Sequence, residues 1–270
     1  MVCFGVGQLR AQGIGSLIFE DQFLDPSLNT TYWNPFVTNN AASGWPWNNQ
    51  TRQPAESSAI DVPNGSNLDY DVPSFVKTGQ GLTLTAESGT TATGYTWTGA
   101  VISSHPDMHF GDTKGFTFQD AYVEVRAKLP YSGNGSWPAI WFLAGPGGNG
   151  AEIDLQEGGF LDGSGVDPDE VFACNLHSNG NSQHLLNTGE KLSAAYHTYA
   201  LAYKQGKYVK MYLDGKLMCA YNYNIPTGPY FILLNNSVAS AKTKSWHSYS
   251  TSTASPNHMR VAYVKVYNLQ

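Results

Sequence analysis

The sequence is poor in charged residues and has no basic clusters. Only 13% of its 270 residues are charged, the net charge is −6, and lysine and arginine are scattered along the chain. Proteins that bind nucleic acid carry basic patches, so neither nucleic acid nor an anionic membrane is expected as a partner. No run approaches the roughly 20 apolar residues that span a bilayer.

Cysteine is also scarce. The three cysteines, Cys3, Cys174 and Cys219, are too few and too scattered for a disulfide scaffold or a zinc site. Cys174 and Cys219 fall within strand-like runs, which favours buried free thiols over one disulfide between them. Residues 1–16 lack the basic start and long apolar stretch of a signal peptide. They are expected to be a disordered extension or the remnant of a leader.

Helical periodicity is rare, whereas alternation of apolar and polar residues recurs along the chain. In 121–130, "AYVEVRAKLP", polar side chains alternate with valine, alanine and leucine, as in a strand with one wet face. Asp214-Gly215, within "VKMYLDGKLMCAY", predicts a two-residue hairpin turn. Short strands between loops rich in Gly, Ser and Asn predict an all-β, antiparallel β-sandwich or barrel. We expect a single domain over 17–270. Further strands are expected at 81–88, 198–204, 230–235 and 259–269.

Three acids stand together in 151–159, "AEIDLQEGG": Glu152, Asp154 and Glu157. Glu152 and Asp154 alternate with apolar residues, as on one face of a strand, but strict alternation would send Glu157 to the opposite face. A β-bulge adds one residue and re-aims the side chains that follow it. The sequence therefore predicts a bulge near Leu155-Gln156 that returns Glu157 to the face of the other two acids.

This spacing carries chemical information. With the bulge absorbed, the Cα atoms of Glu152 and Glu157 are about four strand steps or ~13 Å apart, which leaves about 5 Å between the carboxyl groups, as in retaining glycosidases. Acids this close cannot all stay ionised without cost, so one is expected to hold a proton at neutral pH. Two alternatives remain, an exposed acidic strand face and a calcium cluster, although calcium takes six to eight oxygens that a regular strand supplies poorly.

The sequence resembles glycoside hydrolase family 16, a family of β-jelly-roll enzymes that act on β-glucans and related polysaccharides. "EIDLQE" fits its E-x-D-x-x-E signature, in the variant with the bulge. Four segments also resemble family elements in the right order: 17–36, 115–145, 197–217 and 259–270. The resemblance implies a jelly-roll sandwich with a concave substrate cleft and a retaining hydrolase. Carried over residue by residue, it makes Glu152 the nucleophile, Asp154 the helper that tunes the pair, and Glu157 the acid and base.

A polysaccharide site also needs aromatic faces and amides. The loop 43–51, "SGWPWNNQT", offers tryptophans beside asparagines, and "GSWPAIWFLAG" places two tryptophans four residues apart, on one face of a regular strand. A core role is the competing interpretation for the strand tryptophans, since large aromatics dominate cores. In the family reading a histidine and an asparagine also face the cleft. The predicted substrate-binding residues are Trp45, Trp47, Asn49, Trp137, Trp141, His177 and Asn235.

The chain departs from the family pattern in two places. Ala262 stands where the closing strand often has an acid that helps to hold a structural calcium, with Glu20 as a remaining contributor. No cofactor or metal is therefore expected to be required. The residues before Glu152 are rich in glycine and lack the Trp-Pro of the laminarinase pattern. This departure leaves open a substrate other than ordinary β-1,3-glucan.

The leading hypothesis is an endo-acting, retaining hydrolase of β-1,3 or mixed β-1,3/1,4 glucan, monomeric and secreted or periplasmic. Three alternatives are kept. The same mechanism would serve on a galactan such as agar or carrageenan, or on a bacterial exopolysaccharide. The covalent intermediate would also allow transglycosylation. A non-catalytic glucan-binding protein is disfavoured, because such proteins lose one or both glutamates.

Overall fold

The computed structural model of the protein describes residues 13–33, 76–89, 96–105, 115–145, 151–241 and 243–270, and the backbone of 47–48, 53–54 and 68–70. Trp45, Asn49, the side chain of Trp47 and Cys3 lie outside the described residues. The predictions made for them stay predictions.

The regular secondary structure of the described residues is β-strand, apart from one 3₁₀ turn at Pro168–Glu170. Among them, no helix is long and apolar enough to pass through a membrane. The strands are β1 (Ile14–Asp21), β2 (Trp47–Asn48), β3 (Gln53–Pro54), β4 (Leu68–Tyr70), β5 (Val76–Lys77), β6 (Leu82–Ser88), β7 (Trp97–Ser103), β8 (Ala121–Lys128), β9 (Ser136–Ala144), β10 (Glu152–Glu157), β11 (Val171–His177), β12 (Asn181–Asn187), β13 (His197–Lys204), β14 (Tyr208–Leu213), β15 (Lys216–Tyr221), β16 (Tyr230–Val238) and β17 (Asn257–Leu269).

The strands form the two layers of an antiparallel sandwich of jelly-roll type, which confirms the predicted fold class. One layer, here called the acid sheet, has the order β12-β11-β10-β9-β16-β7. The other, the back sheet, has the order β6-β17-β8-β13-β14-β15, with β1 added beside β17 and β5 beside β6. The layers are continuous where β6 pairs with β7, and only the short β4 runs parallel to its neighbour among the assigned pairs. β2 and β3 pair with each other as a separate hairpin.

The core lies between the two layers and follows the alternation of the sequence. On β8, Val123 and Val125 are fully buried while Glu124 and Arg126 are partly exposed, as predicted for a strand with one wet face. Burial of apolar surface supplies the main stabilisation of such a sandwich. The central cluster takes side chains from both layers, among them Phe142, Ile153 and Leu155 from the acid sheet and Val125, Leu201 and Met211 from the back sheet.

The predicted turn at Asp214-Gly215 is present. It joins β14 to β15, and both residues have positive φ, 48° and 82°, as a two-residue hairpin turn of type I′ requires. The Asp214 carboxylate accepts a hydrogen bond from the backbone N–H of Thr198 at 2.7 Å, which fixes the turn against β13.

The prediction of free buried thiols was wrong for two cysteines. Cys174 on β11 and Cys219 on β15 form a disulfide. Both side chains face the central core, one from each layer, and strand alternation alone could not show that the two positions lie opposite each other. The bond therefore joins the acid sheet to the back sheet at β11, the strand that pairs with β10.

The first described strand begins earlier than expected. β1 starts at Ile14, three residues before the predicted domain start, and Ile14 pairs with Leu269 near the end of β17. The extension predicted over 1–16 therefore contributes part of a strand, because β17 offers it an edge for pairing. The prediction of a single domain over 17–270 stays a prediction.

Candidate active site

The predicted bulge is confirmed in β10. Opposite β9, Asp154 pairs with Trp141 and Gln156 with Ile140, so that Leu155 is the extra residue. Glu152 pairs with Leu143 and Glu157 with Ala139. Residues directly opposite each other share a face of a sheet, and Leu143, Trp141 and Ala139 alternate along β9. Glu152, Asp154 and Glu157 therefore lie on one face, here called the acid face, on the side of the acid sheet away from the central core.

The three acids differ in exposure. Glu152 and Glu157 are partly exposed, whereas Asp154 is only 1% exposed. Ile153 and Leu155 point the other way, into the central core, and are fully buried. The strand thus anchors itself with its apolar residues and presents two accessible carboxyl groups with a buried third between them.

Glu157 is held by two hydrogen bonds from neighbouring strands. Nδ2 of Asn175, on β11, donates to Oε2 at 2.6 Å, and the indole Nε1 of Trp137, on β9, donates to Oε1 at 3.3 Å. Trp137 is itself fully buried and stacks on His247 with ring centroids 4.3 Å apart. The two donors fix the direction of the Glu157 carboxyl group from both sides.

Asp154 lies in an environment that resists its ionisation. Burial, followed by the charge of Glu157, raises its pKa to about 6, although hydrogen bonds with His177 and Glu152 oppose the shift. The strand therefore places one carboxyl group with a raised pKa between the two exposed glutamates.

His177, on β11, supplies the positive charge of the site. Its Nε2 lies 3.0 Å from Oδ2 of Asp154 and its Nδ1 lies 2.7 Å from Oδ1 of Asn181. Both ring nitrogens thus lie beside side-chain oxygens, an arrangement that favours the doubly protonated imidazolium. Burial alone would lower the pKa of His177, but the hydrogen bond to Asp154 and the charges of Asp154 and Glu152 raise it to about 10. At neutral pH this cation offsets the negative charge of the acids.

The two strand tryptophans share the acid face as predicted, but both are buried. Trp141 is 3% exposed, and its indole donates to Oδ1 of the fully buried Asn235 at 2.7 Å. Trp137 is directed at Glu157. Burial therefore favours a supporting role for Trp137, Trp141 and Asn235, behind the surface that a sugar would meet. Their direct contact with substrate stays a prediction, as does that of the more exposed His177.

Sequence reasoning missed Asn175 and Gln156. Asn175 stands two residues before His177 on β11, so alternation places it on the same face, and this signal could have found it. Gln156 is fully buried beside the bulge and bonds to the backbone of β11. No periodic pattern reports such a contact.

Two groups in the described part of the chain bring ligand atoms within 4.8 Å of one another: Glu152, Asp154 and His177, and Glu190, His197 and Asp214. In each group the histidine already bonds to the aspartate, at 3.0 Å and 2.7 Å. At the edge where family resemblance implied a structural calcium, Glu20 pairs with Lys265 at 3.2 Å and accepts from Gln22. Ala262 adds no side-chain oxygen there. Independence from metal stays a prediction.

The chemistry of this arrangement is that of paired carboxyl groups. Two accessible acids share one face, one of them is oriented by two donors, and a buried acid and a cation adjoin them. Such a pair can attack an electrophilic carbon with one oxygen while the other group gives or takes a proton.

Comparisons with known proteins agree with the geometry. The sequence model of "Glycosyl hydrolases family 16" matches residues 66–265. The chain is similar to "Glucan endo-1,3-beta-glucosidase A1" of Niallia circulans, with 26% identity over 282 residues covering 94% of this chain and 38% of that protein. It is also similar to "Keratan-sulfate endo-1,4-beta-galactosidase" of Sphingobacterium multivorum, with 28% identity covering 63% of this chain and 43% of that protein. The chain thus spans less than half of these relatives.

A solved structure shares the architecture. The laminarinase catalytic domain from Thermotoga maritima MSB8 superposes with a TM-score of 0.69 at 21% identity, covering 95% of this chain and 99% of that chain. This likeness supports the jelly-roll fold described above.

Proposed function

Because the chain belongs to glycosyl hydrolases family 16, we propose that it is an endo-acting, retaining hydrolase of β-1,3 or mixed β-1,3/1,4 glucan. The observation that carries the proposal is the bulge at Leu155, which places the partly exposed Glu152 and Glu157 on one face. The similarity to a glucan endo-1,3-β-glucosidase supports the choice of polymer.

In the proposed reaction, a carboxylate oxygen of Glu152 attacks the anomeric carbon while Glu157 gives its proton to the departing glycosidic oxygen. The C–O bond to the leaving sugar breaks and a covalent glycosyl-enzyme forms. Glu157, now a carboxylate, then takes a proton from water, and the hydroxyl oxygen attacks the same carbon and releases Glu152. Two inversions give net retention of configuration.

The neighbouring residues serve these two steps. Asp154 hydrogen-bonds with Glu152 and lies under both glutamates, so it orients the nucleophile and adjusts the charge of the pair. The His177 cation interacts with the charge of Glu152 and so offsets negative charge beside the nucleophile. Asn175 and Trp137 hold the Glu157 carboxyl group in position, and for the second step they stabilise its ionised form by donation.

A galactan is the second candidate substrate. One relative is named for β-galactosidase action on keratan sulfate, and the glycine-rich approach to Glu152 differs from the laminarinase pattern. The mechanism and the roles of the glutamates would be the same. A non-catalytic binding role is disfavoured, because both glutamates are retained and partly exposed.

We also infer that the protein is secreted or periplasmic. A disulfide persists in oxidising compartments and is rare in a reducing cytosol. Long polysaccharides are met in the same compartments, so the proposed substrate and the disulfide favour the same location.

The substrate proposal is tested by incubation with laminarin, lichenan, carboxymethylcellulose, agarose, carrageenan and keratan sulfate, with measurement of reducing ends and product sizes. We expect oligosaccharides of several lengths from laminarin or lichenan at early times, because an endo-acting enzyme cuts within the chain. Activity confined to agarose, carrageenan or keratan sulfate would replace glucan by galactan. Chelator treatment of the same reactions tests independence from metal, with unchanged rates expected.

The roles of the two acids are tested by Glu152→Gln and Glu157→Gln, with Glu124→Gln as matched control on the outer side of the back sheet. We expect loss of turnover in Glu152→Gln and a loss of about 10²–10⁴-fold in Glu157→Gln, with the fold retained by circular dichroism. Full activity in either variant would overturn the assignment. With an activated aryl glycoside and azide, Glu157→Ala is expected to form a β-glycosyl azide and Glu152→Ala an α-glycosyl azide.

A further inference from the structure

The bulge that aligns the acids leaves a gap in the backbone hydrogen bonding between β10 and β11. The backbone register of these strands ends at the pair Asp154–Asn175. Beyond it, the side chain of Gln156 takes over. Its Oε1 accepts from the backbone N–H of Ala173 at 3.0 Å, and its Nε2 donates to the backbone carbonyl of Val171 at 3.2 Å.

The side chain also returns to its own strand. Nε2 of Gln156 donates to the backbone carbonyl of Glu157 at 3.2 Å. Gln156 is fully buried, so these bonds do not compete with solvent. A buried backbone group that loses its partner costs about 1–3 kcal/mol, and an apolar residue in this position would leave two such groups on β11.

The amide stands at the junction of the two strands that hold the proposed acid–base group. On one side it binds the backbone of Glu157. On the other it binds Ala173, two residues before Asn175, whose Nδ2 donates to the Glu157 carboxyl group at 2.6 Å. The β9 side of the bulge is paired independently, since Glu157 stays opposite Ala139 and the N–H of Gly158 donates to Pro138.

We propose that Gln156 is a positioning residue for Glu157: it replaces the missing backbone ladder and thereby fixes the distance between Asn175 and the acid–base carboxyl group. The inference rests on the proposed function of Glu157. Because Gln156 acts through Glu157, its loss affects the steps in which a proton is transferred to the leaving oxygen. Attack by Glu152, which lies before the bulge, is affected much less.

The test compares Gln156→Met, which fills similar volume without hydrogen bonds, with Asn175→Ala and with the double variant. The probes are phenyl β-laminaribioside, whose leaving group needs protonation, and 2,4-dinitrophenyl β-laminaribioside, whose leaving group does not. For Gln156→Met we expect kcat/KM to fall about 10–100-fold on the phenyl glycoside and less than about threefold on the dinitrophenyl glycoside. The double variant is expected to lose little more than Asn175→Ala alone.

Gln156→Glu supplies a second, isosteric measurement. When protonated, a glutamic acid offers one acceptor for Ala173 and one O–H donor for Val171, so its function is expected to return as pH falls, relative to the unchanged chain. A purely packing role would give no such pH dependence. Equal losses on both glycosides, no loss on either, or independent losses in the double variant would each overturn the proposal.

Failure of the proposed function is distinguishable from failure of this inference. If the unchanged chain cleaves neither glycoside nor any polymer of the panel, the hydrolase proposal fails. The hydrogen bond from the Ala173 amide to the Gln156 side chain, here called the clamp, is then measured by NMR hydrogen exchange at that amide. Protection that is reduced at least about tenfold in Gln156→Met supports the clamp, and unchanged protection contradicts it.

Discussion

At the scale of single residues, the acid face depends on side chains that never reach its surface. Trp137 donates to Glu157 while its ring is supported from behind by His247. His247 is 1% exposed, and its Nε2 lies 2.8 Å from the carbonyl oxygen of Gly158, so Nε2 carries the proton. Burial lowers the pKa of His247 to about 3. The residue just behind the proposed acid–base group is thus neutral at neutral pH.

This shift predicts a loss of stability in acid. The unfolded chain takes up a proton at His247 near pH 6.5, while the folded chain does so only near pH 3. The stabilising contribution is therefore present above pH 6.5 and is lost as pH falls from 6.5 towards 3. His247→Gln keeps an N–H donor and does not titrate. As pH is lowered from 6.5, its free energy of unfolding is therefore expected to fall less steeply than that of the unchanged chain, and the two slopes differ by up to about 1.4 kcal/mol per pH unit.

Urea unfolding of both proteins between pH 7 and pH 4 measures this difference. His184→Gln is the control, because His184 is exposed on β12. Equal slopes for the unchanged chain and His247→Gln would contradict the assignment of the shift to this residue.

At the scale of strands, β11 is the element on which the site depends most after β10. It carries Asn175 and His177 towards the acids on one face, and Cys174 towards the core on the other. The disulfide ties Cys174 to Cys219 on β15, and the Tyr221 hydroxyl on the same strand donates to the Cys174 carbonyl at 3.0 Å. The strand that orients the acids is thus bound to the opposite layer of the sandwich.

Removing this bond is expected to destabilise the fold. The two cysteines are 45 residues apart, and a closed loop of that size predicts a loss of roughly 3–4 kcal/mol in the free energy of unfolding for Cys174→Ala/Cys219→Ala. Guanidinium unfolding of the double variant and of the unchanged chain, without reductant, measures it. Cys3→Ala serves as the control. Mass analysis of alkylated, non-reduced peptides that showed free thiols at both positions would contradict the disulfide.

At the scale of the whole molecule, the sequence predicts what depends on local alternation. The strands β8, β13, β14 and β17, the turn at Asp214-Gly215 and the bulge at Leu155 all follow from a period of two residues, its interruption, or turn chemistry. Confirmation of the bulge is the most informative of these, because it rested only on the requirement that three acids share one face.

Features that depend on which positions meet across the sandwich were not predictable in this way. The disulfide requires that β11 and β15 oppose each other, and the sequence does not show which positions of the two layers face each other. The depth of Trp137 and Trp141 depends on what covers the acid face, while alternation reports only the side to which they point. The hydrogen bonds of Gln156 reach backbone groups on β11. These groups are the same whatever the side chains are, so the residue types of β11 do not predict the contact.

The pairing of β1 with β17 brings Gly13 and Gln270, the first and last described residues, side by side. Ile14 lies opposite Leu269, and the N–H of Gln270 donates to the carbonyl of Gly13 at 2.8 Å. If Gln270 is joined to Met1, residues 1–12 become the linker between Gln270 and Gly13, and that length is sufficient because the two residues are hydrogen-bonded to each other. New ends can be opened between Asp214 and Gly215, at the exposed tip of a hairpin.

This circular permutant is expected to fold to the same sandwich, with a melting temperature lower by several degrees and a turnover of its substrate within a few-fold of the original order. Thermal unfolding and reducing-end assays measure both, and a permutant that did not fold would contradict the expectation. The order in which the strands are synthesised then becomes a variable that can be changed while the acid face stays intact.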